Sequence, residues 1–258
     1  MSIIVVPIKK SLRTISQSLI LLIALSMSGV SAKDLDVTIV TEILPPYQFK
    51  NEAGELDGYA VEVMRALLQE AKLDEEIQLF PWSRSYKIAN SEPNVIIFSL
   101  ARTEERLKNF HWIGEIHSET YIFLKLSENK DLVVKDLDDL KDLSILVPRD
   151  SVGDQLLTGL GFTNITRTNG LVQSIQMLQS NRTDLILASD YALKHSITPR
   201  GMKRLPKEVI YELKDYSSGI FIAVSQRSDP ELINNLKRAF QTLEQNGVIS
   251  QLKTKWDM

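Results

Sequence analysis

Two arginines, Arg102 and Arg106, follow a short apolar run, Val95-Ile-Ile-Phe98, and bracket a charged turn, Thr103-Glu-Glu. A planar guanidinium fork grips a carboxylate through two parallel hydrogen bonds, so arginines at the mouth of a buried strand are candidate anion receptors. The alternative is a pair of surface arginines in a mixed-charge turn. Four apolar β-formers between a Pro-Asn break and the polar exit Ser99-Leu-Ala-Arg102 predict a strand over 95–98. Thr103 reads as the N-cap of a helix opening over Thr103-Glu-Glu-Arg106. A cation in that first turn opposes the helix dipole at a cost of about 0.3–1 kcal/mol, which Glu104 and Glu105 offset.

Other chemistries find no residues to carry them. There is no phosphate-binding G-x-x-x-x-G-K-[ST], no dinucleotide G-x-G-x-x-G and no G-x-S-x-G nucleophile elbow. His111, His117 and His195 lack metal-ligand spacing, and the chain has no cysteine, so neither thiolate ligands nor disulfides are available. Acid pairs such as Asp138-Asp139 sit in a solvated segment. No metal, cofactor or catalytic residue is expected. The net charge is −3, with 43% hydrophobic and 24% charged residues, an ordinary globular composition. Mild acidity without a basic, aromatic-interleaved run gives no support to a nucleic-acid partner.

The elements that must position the arginines follow from the chain in order. At the amino end, Lys9, Lys10 and Arg13 precede a short apolar core, Leu19–Leu25, and a small-residue site, Val30-Ser-Ala32. That pattern predicts a secretory signal over 1–32, cleaved near Ala32, and an exported product starting near Lys33, the alternative being an uncleaved anchor. The core is too short to span a bilayer comfortably, and no cysteine is present to take a lipid. Beyond it, strands are predicted over Asp36–Val40, Ile77–Phe80 and 95–98. Helices follow from Gly58, over Ser83–Ala89 and from Thr103, so a β-α-β-α-β order implies a parallel sheet. A second α/β unit has strands at Tyr121–Leu124, Ser144–Val147, Asp184–Ala188 and Val209–Leu213. Its helices are expected over Leu137–Leu143, from Asp150-Ser151, over Leu171–Leu178 and over Tyr191–His195. A last strand, Gly219–Val224, precedes a long helix capped by Ser228-Asp-Pro-Glu231 and stopped at Gly247, then a short helix ending on Trp256. Two α/β units without a flexible linker predict lobes joined by strands, with a cleft between them.

The pattern resembles the type II periplasmic solute-binding proteins of the polar amino-acid group, extracellular solute-binding protein family 3. Pro45-Pro-Tyr-Gln-Phe49 with Gly54-Glu-Leu-Asp-Gly58 is similar to the family's opening PPY-x-F…G-x-x-x-G. Ser99 to Trp112 resembles its G-x-T-x-T-x-E-R block, and Asn181-Arg-Thr-Asp184 resembles its G-R-x-D turn. Gly219 to Trp256 resembles the closing strand, long helix and L-x-x-K-W. The resemblance implies an α/β, two-lobed Venus flytrap, each lobe a central sheet flanked by helices. One lobe would comprise 33–117 and 219–258, the other 118–218, with two crossing segments as the hinge.

By the same resemblance, Arg106 matches the carboxylate-gripping arginine, and Ser99 falls where a loop approaches the ligand with backbone groups. Ser151 matches a hydroxyl at a helix start in the second lobe, where free N–H groups favour an anion. The chain departs from the family at three places. Ala101 replaces a Ser or Thr, Arg102 replaces an apolar residue, and Ser189 replaces the aspartate that pairs with an α-ammonium group, with Asp190 one position late. These departures leave open whether the ligand is an α-amino acid. Pro81-Trp-Ser-Arg84 resembles a PW-x-R segment of one branch of the family. Trp82 could stack on the ligand there and Arg84 could add a charge contact, the alternatives being core filler and surface residue. Tyr47 and Glu42 complete the candidates, Tyr47 facing cleft or core and Glu42 pairing with a ligand cation or with Arg84.

The expected function is an exported, soluble, monomeric binding protein that closes on a small polar or anionic solute and delivers it to an inner-membrane ABC permease. One alternative is a sensory subunit acting in trans on a membrane receptor. The other is a dehydratase of cyclic carboxylates, with Glu42 or Asp190 as general acid.

Overall fold

A computed structural model describes residues 36–126, 132, 134–194 and 207–258. The expected signal segment and His195 lie outside the described residues. The chain opens with β1 (Thr38–Thr41), the two-residue strands β2 (Phe49–Lys50) and β3 (Leu56–Asp57), and helix α1 (Tyr59–Ala71). Then come β4 (Ile77–Leu79), α2 (Trp82–Ser91), β5 (Val95–Ala101) and the long β6 (Phe110–Leu126). The next stretch holds β7 (Ile145–Pro148), α3 (Val152–Gly159), β8 (Ile165–Thr168), α4 (Leu171–Gln179), β9 (Leu185–Ser189) and α5 (Asp190–Lys194). A second long strand, β10 (Lys207–Ser225), leads to α6 (Pro230–Gln245) and α7 (Val248–Lys255).

Eight strands form one ladder in the order β4-β1-β5-β10-β6-β9-β7-β8. β1 is parallel to β4 and β5, and β7 is parallel to β8 and β9, as two βαβ halves require. The two long strands run through both halves as an antiparallel pair. β10 joins β5 through Ile220–Val224, whereas β6 joins β9 through Tyr121–Leu124. The ladder register between β6 and β10 breaks between Leu213 and Ser218, opposite Glu119–Tyr121. Each half is thus a parallel sheet edge attached to one end of a shared ribbon.

Helix α1 buries Val63, Met64, Leu67, Leu68 and Ala71, the stripe expected from helical spacing, and packs against α6. Its N-cap, Gly58, has φ 125°, and a Cβ there would sit 2.4 Å from the Tyr47 carbonyl oxygen. Only glycine fits that turn. Helix α6 is capped by Asp229, whose Oδ1 accepts from the Glu231 N–H, with Pro230 at its first position. Ser228, read as part of a capping box, instead bonds the Asn94 N–H and Ser225.

Several elements differ from expectation. The helix predicted from Thr103 is a single 3₁₀ turn, Glu104–Arg106, and Thr103 makes no side-chain cap. Only three residues separate that turn from β6, too few for a helical dipole to develop. The segment 137–143 likewise contracts to a 3₁₀ turn, Asp138–Leu140. The strands read separately at 209–213 and 219–224 are one strand, and that at 121–124 extends back to Phe110. Polar residues such as His117, Ser118 and Ser218 interrupt the apolar alternation, yet cross-strand backbone pairing continues past them.

Candidate functional site

A cavity lies where the carboxyl ends of β5 and β9 meet β6 and the start of α3, offering about 80 Å³ to the centres of water-sized molecules. Six of the candidates from sequence line it: Glu42, Trp82, Ser99, Arg106, Ser151 and Ser189. Tyr47, Arg84, Arg102 and Asp190 do not. Arg84 is exposed and stacks on Phe80, its guanidinium carbon 4.2 Å from the ring centre. Arg102 is also exposed and lies against Trp112 and Phe221, at 5.6 and 5.4 Å. Tyr47 is fully buried behind the cavity, its ring tilted against His117 and Tyr191.

Arg106 is 0% exposed, the largest fully buried side chain described. The 3₁₀ turn folds it back beneath the end of its own strand, where Nη1 donates to the Ala101 carbonyl at 3.3 Å. Nη2 donates across to the Asp150 carbonyl at 2.9 Å, and Nε has no hydrogen-bond partner among the described residues. Its guanidinium also faces the rings of Tyr86 and Trp82, at 4.9 and 5.5 Å. Burial pulls its pKa below the ordinary arginine value, against the opposing pull of Tyr86 and Tyr121. No carboxylate forms an ion pair with it among the described residues. A buried guanidinium without its own anion is costly unless something supplies one.

The same Asp150 carbonyl accepts from the Trp82 indole N–H at 3.0 Å. Asp150 has φ 57°, which turns that carbonyl toward the first half, and it leads directly into α3. Ser151 caps α3 by accepting from the Asp154 N–H at 3.2 Å, while Ser151, Val152 and Gly153 line the cavity. The first N–H groups of a helix have no internal acceptor, so this end of the cavity favours a negative group.

Ser99 sits in β5 with φ 59°. The pairing of β10 passes from Phe221 opposite Leu100 to Ile222 opposite Phe98, so Ser99 is the extra residue of a β-bulge. Its hydroxyl donates to Gln48 Oε1 at 2.8 Å.

Two carboxylates face the basic groups. Glu42, 8% exposed, has its pKa pushed up to about 8 by burial first and by the charge of Glu119 second, with Arg106 pulling it down. Glu119, 6% exposed, accepts from the Tyr47 hydroxyl and the Ser189 hydroxyl, both at 2.6 Å and both on Oε1. Burial raises its pKa, and those two hydrogen bonds oppose the rise. Ser189 accepts in turn from the Ala192 N–H at 3.1 Å, so its proton is directed to Glu119.

Glu119 and Tyr121 line the cavity and were not among the site candidates read from the sequence, where Tyr121 served only as the start of a strand. The one signal was an acid amid the run His117-Ser-Glu-Thr-Tyr121, in a stretch read as a lobe boundary rather than as mid-strand.

A model of the bacterial extracellular solute-binding proteins, family 3, matches residues 37–258. The chain is 25% identical over 216 residues to an arginine-binding extracellular protein, ArtP, of Bacillus subtilis, covering 82% of this chain and 81% of that one. It is 24% identical over 223 residues to the L-cystine-binding protein TcyJ of Bacillus subtilis, covering 82% and 80%. Among solved structures, the arginine-, lysine-, histidine-binding protein ArtJ of Geobacillus stearothermophilus superposes with a TM-score of 0.74 at 19% identity, covering 86% and 95%. These likenesses show the fold: the two-lobed type II periplasmic-binding-protein architecture expected from the sequence.

Proposed function

Because the chain belongs to the bacterial extracellular solute-binding proteins, family 3, we propose that it is exported, closes on a small polar or anionic, amino-acid-like solute and delivers it to an ABC-type membrane permease. The lobe division expected from the sequence is part of this reading: 33–117 with 219–258, and 118–218. In its support, the long strands exchange sheet partners around Glu119–Tyr121 and Leu213–Ser218, where a hinge would bend. The names of the relatives, arginine- and cystine-binding proteins, support an amino-acid-like solute. They describe binding proteins rather than enzymes.

The observation that carries the reading is Arg106: a fully buried guanidinium on the wall of a cavity, with an unpartnered Nε and no carboxylate ion pair among the described residues. A ligand carboxylate, placed between Arg106 and the first turn of α3, satisfies both. Closure then brings Arg106 and Trp82 onto the Asp150 carbonyl and removes water around the charges, which strengthens them.

The test is a thermal-shift screen of the purified protein against amino acids, small dicarboxylates and polyamines. A true ligand at 100 times its Kd stabilises by about 2.7 kcal/mol. Arg106→Ala is expected to abolish that shift while the unliganded protein still melts cooperatively. A cooperative melt with no shift from any member of the panel would overturn the reading.

A further inference from the structure

We propose that Glu119, on the long strand β6, is the group that binds a ligand's protonated amine. The inference rests on the solute-binding reading above and names the residue and charge class that complete its site.

Glu119 is almost wholly buried, on the wall of the cavity, and has no cationic partner among the described residues. Its position is defined from two sides. Tyr47 donates from behind, and Ser189 donates from the end of β9. Both bonds fall on Oε1, and no side-chain hydrogen bond from the described residues reaches Oε2, while the side chain lines the cavity. Each hydroxyl is committed: Ser189 takes the Ala192 N–H on its own oxygen, and Tyr47 is fully buried with its hydroxyl on Glu119. Two neutral donors hold a carboxylate in place but do not neutralise it. Such a group is costly inside a protein unless a cation arrives.

Arg106 and the first turn of α3 supply the positive side of the same cavity. A solute carrying both a carboxylate and an ammonium group therefore meets complementary charges. Glu42 also lines the cavity and makes no ion pair among the described residues; burial favours its neutral form, and a second cationic group on the solute would draw it into the charged one, so solutes with a further positive charge are favoured over acidic ones. Because β6 passes through both halves, a ligand amine on Glu119 contacts the shared ribbon rather than either outer edge.

The experiment titrates the purified protein calorimetrically with the twenty common L-amino acids and L-cystine, and pairs each binder with its deamino analogue, the carboxylic acid with hydrogen in place of the amine. Glu119→Gln keeps the acceptor oxygen for Tyr47 and Ser189 and removes the charge. It is expected to weaken the amine-bearing binder by about 10- to 100-fold. The deamino analogue is expected to bind wild type and variant within about twofold, because loss of one charge-assisted bond cannot affect a ligand that has no donor to make it. The Tyr47→Phe/Ser189→Ala double variant keeps the charge and loosens its position, and is expected to weaken the amine-bearing binder less. Equal weakening of both analogues by Glu119→Gln would make Glu119 structural and overturn the inference, as would wild-type affinity in that variant. If binders are found and Glu119→Gln leaves them intact, this inference alone fails. If the folded wild type binds none of the probes, the amino-acid reading fails first and takes the inference with it.

Discussion

Substituting Glu42 by Gln should flatten the pH dependence of this protein's stability. Burial raises the Glu42 pKa to about 8 from an ordinary value of 4.5, so the folded state holds a proton that the unfolded chain releases. Between those two values the folded form binds more protons, and stability falls as pH rises through the window. Above about pH 8 the fall is complete, and below about pH 4.5 it is absent. At about 1.4 kcal/mol per pH unit, the separation corresponds to about 5 kcal/mol. For a chain of this size that is a loss of about 10 °C or more in Tm. Glu119, raised in the same direction, adds to the same slope. His117, whose pKa burial lowers, opposes it near neutrality but does so equally in both proteins. Calorimetric melts of unliganded wild type and Glu42→Gln from pH 4.5 to 9 isolate the contribution. The variant is expected to gain most over wild type at the alkaline end and least at the acid end. Parallel curves would refute the reasoning, because they would mean that Glu42 is as well solvated folded as unfolded.

Two further outcomes follow from single contacts. Trp82→Phe keeps the ring that packs beside Tyr86 and removes the N–H given to the Asp150 carbonyl. It is expected to cost about 1 kcal/mol of ligand affinity, read by titration calorimetry, with little change in the unliganded melt. Gly58→Ala forces a Cβ to within 2.4 Å of the Tyr47 carbonyl oxygen at φ 125°, and should destabilise by about 1–3 kcal/mol or more in a denaturant titration. A midpoint unchanged from wild type would show that the turn relaxes freely.

Much of the fold was legible because its signals are local. The apolar stripe of α1, the Asp229-Pro230 start of α6 and the run Val95–Phe98 each determine their element from neighbouring residues alone. The 3₁₀ turn at 104–106 was not legible, since Thr103 and two glutamates also open ordinary helices; the early start of β6 cut this one short. The continuity of β6 and β10 was hidden for a different reason. A strand through a polar stretch such as His117–Thr120 is sustained by pairing with a partner about ninety to one hundred residues away, and alternation cannot report that.

The arginine pair shows the same division. Its residue types, and their place after a buried strand, determined that an anion could be gripped here. Which arginine is buried depended on the fold. Arg106 is tucked beneath β5 against Trp82, while Arg102 stands outside against Trp112 and Phe221. The opposing charge depended on it wholly. Glu119 comes from one strand, Ser189 from another and Tyr47 from the first loop, separated by about seventy residues on either side. A hydrogen bond is a matter of a few ångströms in space, and only tertiary packing brings three such distant residues within that reach.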